Sequence, residues 1–286
     1  MRKPQPQPDW PASWQAAYQC DLMEFFGEAR RAPGYACAYQ NRFRKLMDMV
    51  EARLPKGSAI IDVAAGQGNF SLGLAERGYR VTWNDLRGDL AGYVQLKHSS
   101  GDICFTAGNA FDLSIGGFDG AVITEVIEHV AHPDQFLCRI ADLVRPGGYI
   151  FMTTPNGGYF RNRLPRFSEC PDPSIYEAEQ FKPDADGHIF LIHVDELAEL
   201  AQQADLEIVD IDLFTNPLTI GQIKLSLLHH VLPPGLIAQV EAWSQTKLPP
   251  SVARRVLAQM GVCFRKIGAG GSVHASAQVQ AAREIG

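Results

Sequence analysis

Residues 59–86 read AIIDVAAGQGNFSLGLAERGYRVTWNDL, and the fold turns on how this stretch is parsed. An apolar run, Ala59–Ala64, enters Gly66-Gln67-Gly68. A helical segment, Asn69–Arg77, follows with Phe70 and Leu74 on one face, and Gly78 suits its C-terminal cap. A second strand, Tyr79–Asn84, stops at Asp85. Strand, glycine loop, helix and strand make a parallel α/β unit. Such a unit exposes backbone N–H groups beside a helix N-terminus, at the carboxyl edge of the sheet where ligands bind. Asp85 is placed to accept hydrogen bonds from a ribose diol. A dinucleotide site wants a third glycine for close helix–strand packing, and Ser71 occupies that position.

Length and composition frame this unit. The chain has 286 residues, 46% hydrophobic, which is ample for one large domain with appendages. A net charge of −6 argues against a protein built to grip nucleic-acid backbone. No apolar run reaches the length of a membrane span, and MRKPQPQPDWP lacks the apolar stretch of a signal peptide. Six scattered cysteines without a CxxC spacing read as reduced packing residues of a cytoplasmic protein.

Taken in order, residues 1–11 are expected to be disordered or extended. Residues 12–56 form a helical cap, with Phe43, Leu46, Met47 and Val50 as a core-facing stripe. The ligand-binding core covers residues 57–215. It continues with a helix near Asp89–Lys97, a strand Ile103–Ala107, a loop Gly108–Phe111 and a strand Gly120–Thr124. Then come an amphipathic helix Asp134–Val144, an Arg145–Gly148 turn and a strand Tyr149–Thr154. Residues 157–187, rich in proline, glycine and charge, read as a lid loop whose apolar residues include Phe160, Phe167 and Phe181. A helix Asp195–Ala204 and a strand Leu206–Leu213 follow. Residues 216–258 read as a helical insertion capping an acceptor, with an amphipathic helix Ile220–Leu232 and two further helices set off by Pro233, Pro234, Pro249 and Pro250. A last strand, Val262–Ile267, lies in 259–267, and 268–286 reads as a disordered tail.

Glu125, Glu128 and His129 follow the fourth strand at the glycine-loop edge. On a helix, spacings of i, i+3 and i+4 place them on one face. Two close carboxylates repel, and one pKa rises unless a cation lies between them. A hard divalent ion accepts carboxylate oxygens, whereas imidazole suits Zn²⁺.

The Ala64–Gly68 loop, Asp85, Asn109 and LVRPGGYIFMTTPN together resemble the motifs of class I S-adenosylmethionine-dependent methyltransferases. The usual loop begins with one more glycine, where Ala64 stands. That departure costs little so long as Ala64 keeps a negative φ. The resemblance covers roughly residues 57–213. It implies an α/β, Rossmann-like, mostly parallel seven-stranded sheet with helices on both faces and a helical cap. It further implies that Asp62, Ala64, Gly66, Gly68, Asp85, Leu86, Asn109, Ala110 and Glu125 contact S-adenosylmethionine. Asp85 would hold the ribose, and Asn109 would meet the adenine amino group through its carbonyl oxygen. The ExxEH and TTPN motifs resemble two groups within that family: ubiquinone-pathway O-methyltransferases and small-RNA 3′-terminal 2′-O-methyltransferases of the HEN type. In the latter, two Glu and two His bind a metal, and His188-Ile189-Phe190 matches the later histidine segment. The implied metal set is Glu125, Glu128, His129 and His188, for Mg²⁺, Mn²⁺ or Zn²⁺.

Two devices for a hydroxyl nucleophile therefore stand side by side. His129, with Glu125, acts as a catalytic base or substrate contact without a metal. Alternatively, a metal lowers the pKa of the hydroxyl. The leading expectation is O-methylation of a small molecule such as a quinol, phenol, sugar or natural product. The alternatives are metal-dependent methylation of an RNA 3′ end and a non-catalytic donor-binding protein. Peripheral membrane contact ranks below a simple lid, because Ile220–Leu232 lacks a Lys/Arg cluster.

Overall fold

The computed structural model of the chain describes residues 1–28, 33–180, 187–222 and 225–268. Seven strands form one sheet: β1 (Ala59–Val63), β2 (Arg80–Asp85), β3 (Asp102–Ala107), β4 (Phe118–Thr124), β5 (Val144–Pro155), β6 (Leu206–Phe214) and β7 (Gln259–Lys266). Their order is β3-β2-β1-β4-β5-β7-β6, as the mostly parallel expectation requires. Pairings are parallel from β3 to β5, and β7 runs antiparallel to both β5 and β6. After β1 the chain builds outward through β2 and β3, then returns to place β4 on the other side of β1. That reversal opens a crevice at the carboxyl ends of β1 and β4.

Alternation along the strands supplies two cores. Ile61, Val63, Ile123, Ile150 and Met152 pack toward α5 (Pro133–Leu143) and α6 (Leu197–Gln203). Ile60, Val81, Val122 and Phe151 pack toward α2 (Pro33–Glu51) and α3 (Asn69–Glu76). The α5 stripe of Phe136, Leu137, Ile140 and Leu143 recurs every three or four residues and is buried, at about 1.5–3 kcal/mol for each large side chain. Leu46, Met47 and Val50 of α2 are buried as the stripe predicted.

Several boundaries differ from the sequence reading. Residues 1–11 have no regular structure and are mostly exposed, but the segment is anchored at Trp10 and Arg2. Trp10 is buried against Trp14, Tyr18 and Tyr93, and the Arg2 N–H donates to the Lys97 carbonyl at 2.8 Å. Aromatic burial outweighs the proline-rich composition that reads as disorder. The Arg145–Gly148 turn lies inside β5, which begins at Val144 with a register shift against β4. Ile220–Leu232 is not an α-helix: its described part is a turn and a 3-10 segment, Leu225–His230, and residues 223–224 lie outside the described residues. The two later helices are present as α7 (Pro234–Lys247) and α8 (Pro250–Val256). Phe181, with 182–186 of the lid, and the tail from 269 onward lie outside the described residues. No described helix is long and apolar enough to cross a membrane.

A buried charge network joins the N-terminal helices to the glycine-loop helix. Asp21 of α1 (Ala12–Glu24) and Lys97 of α4 (Leu90–Lys97) have side chains fully removed from solvent and pair at 2.6 Å. Lys97 also donates to Asn69 Oδ1 at 2.5 Å, Tyr93 donates to Asp21, and Asn69 donates to Asp21 and to the Tyr39 hydroxyl. Burial lowers the Lys97 pKa, and Asp21 opposes that shift. Removing one partner strands the other charge. Lys97→Met is therefore expected to cost about 3–5 kcal/mol in denaturant unfolding. A loss below about 1 kcal/mol would show that the pair does not hold these helices together.

Candidate functional site

At the β1/β4 crevice lies a cavity of about 220 Å³. Thr124 at the end of β4, the loop residues Ala64–Gln67, Arg87 and Glu125, and Asn69 and Phe70 of α3 line it on one side; the N-terminal helices supply Glu24, Tyr39 and Arg42. The glycine loop is shaped by three left-handed residues, Ala64 (φ 55°), Gly66 (φ 50°) and Gly68 (φ 70°). Gly68 has no room for a side chain, since a Cβ there would stand 2.6 Å from Val94. The positive φ of Ala64 corrects the expectation that alanine is cheap here. An L-residue pays roughly 1–2 kcal/mol in this region.

Each residue singled out from the sequence has a definite place. Asp85 is buried and already engaged: Gly66 N–H donates to Oδ2 at 2.7 Å, and Arg87 donates to Oδ1 through N–H at 2.8 Å and Nε at 3.2 Å. It thus fastens the glycine loop to the end of β2. Leu86 beside it is 58% exposed. Asn109 lies at the end of β3, where its carbonyl oxygen accepts from Phe111 N–H at 3.2 Å and its amide donates to Asp112. Ala110 is buried beside it. Asp62 does not line the cavity. Its Oδ2 accepts from Ser71 Oγ at 2.5 Å, tying β1 to α3, while Oδ1 is buried without a partner. Burial pushes its carboxyl up to about 7, against the Ser71 hydrogen bonds, and the neighbouring Asp85 adds to the rise.

The Glu125–His129 segment is not the expected α-helix. Glu125 leaves β4 at φ 54°, and only Ile127–His129 form a 3-10 turn. That conformation separates Glu125 from the other two. Glu125 Oε2 pairs with Arg42 Nη1 at 2.8 Å, and its Oε1 is buried without a hydrogen-bond partner. Glu128, His129 and His188 do converge, with ligand atoms within 4.8 Å of one another. Thr154 donates to Glu128 Oε2 at 3.0 Å, and Glu128 Oε1 is buried and unpartnered. Burial, and then the charge of Glu125, raise the Glu128 pKa well above the usual carboxylate range. His129 Nδ1 stands 3.2 Å from the Gly187 carbonyl. A carbonyl only accepts, so Nδ1 carries the hydrogen, and in the neutral tautomer Nε2 is the nitrogen with the lone pair. The donor set fits a divalent ion: ligands about 2.1 Å from a metal stand up to about 4.2 Å apart, so a small closure suffices. His193 lies elsewhere, with Nδ1 3.3 Å from Arg166. His132 pairs with Glu177 at 2.8 Å.

Arg42, Glu24 and Tyr39 were not singled out from the sequence. Arg42 sits in QNRFRKLMD beside Arg44 and Lys45, and nothing in that spacing marks one cation as buried. Its guanidinium packs 4.9 Å from the Tyr39 ring centroid. Burial opposes the charge on Arg42, but Glu125, Tyr39, Glu24 and Glu128 outweigh it and raise its pKa. Burial likewise raises the Glu24 pKa, while Arg42 pulls it down.

A family model described as a methyltransferase domain matches residues 35–211. A ubiquinone biosynthesis O-methyltransferase of Xanthomonas axonopodis pv. citri is 33% identical over 116 residues, covering 38% of this chain and 48% of that protein. One from Burkholderia pseudomallei is 29% identical over 165 residues, covering 56% and 68%. The chain thus spans about half the length of the first of these curated relatives. Among solved structures, the cyclase SpnF superposes with a TM-score of 0.53 at 17% identity, covering 90% of this chain and 98% of that one. Burkholderia thailandensis 1,6-didemethyltoxoflavin-N1-methyltransferase, solved with its substrate and S-adenosylhomocysteine, gives a TM-score of 0.50 at 18% identity, covering 93% and 94%. At such identities these superpositions speak for the fold alone.

Two expectations follow from the loop. Ala64→Gly relieves a left-handed alanine at the cost of unfolded-state entropy, so a net gain of about 0.5–1 kcal/mol in urea unfolding is expected; no gain would mean that neighbours fully compensate the strain. Asp62, with its pKa raised to about 7, stabilises the fold while protonated. That contribution is complete below about pH 4 and is lost as pH rises toward 7. Wild type should therefore lose stability relative to Asp62→Asn across that window, and parallel pH curves would remove the assignment.

Proposed function

The chain belongs to the methyltransferase-domain family, and from that premise we propose that it transfers the methyl group of S-adenosylmethionine to a hydroxyl of a small molecule. One observation carries this reading. A cavity framed by the glycine loop and the half-buried Arg42 adjoins a separate Glu128/His129/His188 cluster at the same sheet edge. The first suits a zwitterionic nucleoside, the second an acceptor hydroxyl.

On this reading the donor's α-carboxylate pairs with Arg42 and its α-ammonium with Glu24. Asp85 holds the ribose diol, and the Asn109–Ala110 loop borders the adenine. Gly66 and Gly68 let backbone approach the methionine half. Asp62 supports the loop from beneath through Ser71. Positioning of sulfur, methyl and nucleophile in line is the main source of rate. The acceptor oxygen attacks the methyl carbon as the C–S bond breaks, leaving a neutral thioether. The hydroxyl proton passes to His129 Nε2, whose lone pair is free once Nδ1–H is held by Gly187. A divalent ion, if held by Glu128, His129 and His188, would take that lone pair and supply, in place of the imidazole base, the Lewis acidity that lowers the hydroxyl pKa. The 157–187 segment and the 216–258 insertion shape the acceptor side.

The test is turnover to S-adenosylhomocysteine with a panel of hydroxylated acceptors, alongside calorimetric donor binding. Arg42→Ala and Asp85→Ala are each expected to weaken donor binding about 10- to 100-fold, the loss of charge-assisted hydrogen bonds. His129→Ala should lower turnover by about 10²- to 10⁴-fold with donor affinity unchanged. Donor binding without turnover on any acceptor would favour a non-catalytic donor-binding protein. Equal donor affinity in Arg42→Ala and wild type would remove Arg42 from the site.

A further inference from the structure

Glu125 stands between two sites and belongs fully to neither. Its Oε2 is held by Arg42 at 2.8 Å, while its Oε1 is buried without a hydrogen-bond partner. Three residues on, Glu128 Oε1 is also buried without a partner, in a cluster whose ligand atoms come from Glu128, His129 and His188. Three protein ligands leave a divalent ion with further positions to fill, by solvent, an acceptor oxygen or another carboxylate. Glu125 directly follows β4 and Glu128 lies three residues on in the 3-10 turn, each with one buried carboxylate oxygen unpartnered, so a cation between them would satisfy both and relieve their repulsion.

Glu125 is held where it is by two constraints. One is the Arg42 guanidinium. The other is a left-handed backbone, φ 54°, which costs a residue other than glycine about 1–3 kcal/mol and persists only where neighbours enforce it. Arg42 is also the half-buried cation of the donor cavity, so an arriving carboxylate competes with Glu125 for the same guanidinium. We propose that Glu125 is a shared arm: the donor's carboxylate takes Arg42, and the released Glu125 turns to the Glu128/His129/His188 cluster and completes it as a fourth ligand for a divalent cation. This rests on the reading of Arg42 as the donor's carboxylate partner and of the cluster as a cation site. What it adds is a thermodynamic link between the two. The donor raises cation affinity, and by reciprocity the cation raises donor affinity by the same factor. The empty enzyme keeps its carboxylates balanced by Arg42 rather than by a metal.

Calorimetric titration of the full chain with Mn²⁺ tests this, with no activity measurement involved. Mn²⁺ is added to the protein alone, with saturating S-adenosylhomocysteine, and with 5′-methylthioadenosine, which has the adenosine and thioether but no amino-acid carboxylate. The expected result is an affinity about tenfold higher with S-adenosylhomocysteine, within the usual range of site–site coupling, and unchanged with 5′-methylthioadenosine. In Glu125→Gln, Mn²⁺ should still bind through the other three residues, but S-adenosylhomocysteine should no longer strengthen it. The mirror titration, S-adenosylhomocysteine with and without Mn²⁺, should give the same factor. If Mn²⁺ binds wild type equally with and without S-adenosylhomocysteine and His188→Ala abolishes that binding, the cation site stands and the shared arm is overturned. An equal gain from 5′-methylthioadenosine overturns it too, since the carboxylate is then irrelevant. If wild type binds no Mn²⁺ in any state, the cluster reading fails and takes the arm with it. Arg42→Ala with unchanged S-adenosylhomocysteine affinity is the distinct failure of the donor reading.

Discussion

Two strand ends set the terms for the rest of the molecule. β1 and β4 lie side by side, and each hands the chain to its loop through a residue forced into the left-handed region: Ala64 at φ 55° and Glu125 at φ 54°. Neither is glycine, so neither conformation is free. The return of the chain past β1 leaves no crossover to cover this edge, and the crevice exists because the topology reverses there. Both kinks sit on the rim of that crevice. The left-handed turn at Ala64 helps open the glycine loop, and the one at Glu125 aims a carboxylate at Arg42 instead of along a helix with Glu128 and His129.

Charge then follows from geometry. Glu24, Arg42, Glu125 and Glu128 are gathered where water is scarce, and burial disfavours each charge alone. Arg42 is the pivot because it faces Glu125, Glu24 and the face of Tyr39 at once. Its placement is not left to α2. Tyr39 accepts from Asn69, which is tied to Asp21 and Lys97, so a buried ion pair linking α1 and α4 also fixes the ring on which the guanidinium rests. Asn69 in turn is the first residue of α3, directly after Gly68. The crevice cavity is therefore braced by a network whose members come from four helices.

Sequence periodicity reached the sheet and the donor loop because both depend on local pattern. Residues 59–86 carry a strand, a loop and a helix in consecutive positions, and the buried strands are continuous apolar runs. Three features escaped it for identifiable reasons. The 1–11 segment reads as disordered by composition, yet Trp10 finds an aromatic pocket made by residues up to 83 positions away. Arg42 is one of three cations within four residues, and only tertiary packing decides which is buried. The convergence of Glu125 with Glu128 and His129 presumed a helix, which a single left-handed residue prevents. His188 was found through a resemblance, since no spacing rule joins it to His129; the structure brings their rings to 4.8 Å.

The insertion follows a different logic from the crevice. It is fastened, not hinged. The Glu241 carboxylate of α7 is buried and accepts from Thr215 N–H, Asn216 N–H, Asn41 Nδ2, Thr219 Oγ1 and Gln245 Nε2. Thr215, where β6 gives way to the insertion, is held at φ 66°, a conformation that a β-branched residue adopts only under constraint. Its hydroxyl is locked between Asn41 and Gln259. These bonds fix the insertion firmly to α2 and β7. Motion in such a site has to come from groups with one bond to lose and an alternative to gain. Glu241 has no such freedom, its carboxylate accepting five hydrogen bonds. Glu125 does, held by one guanidinium and left with one buried oxygen unpaired.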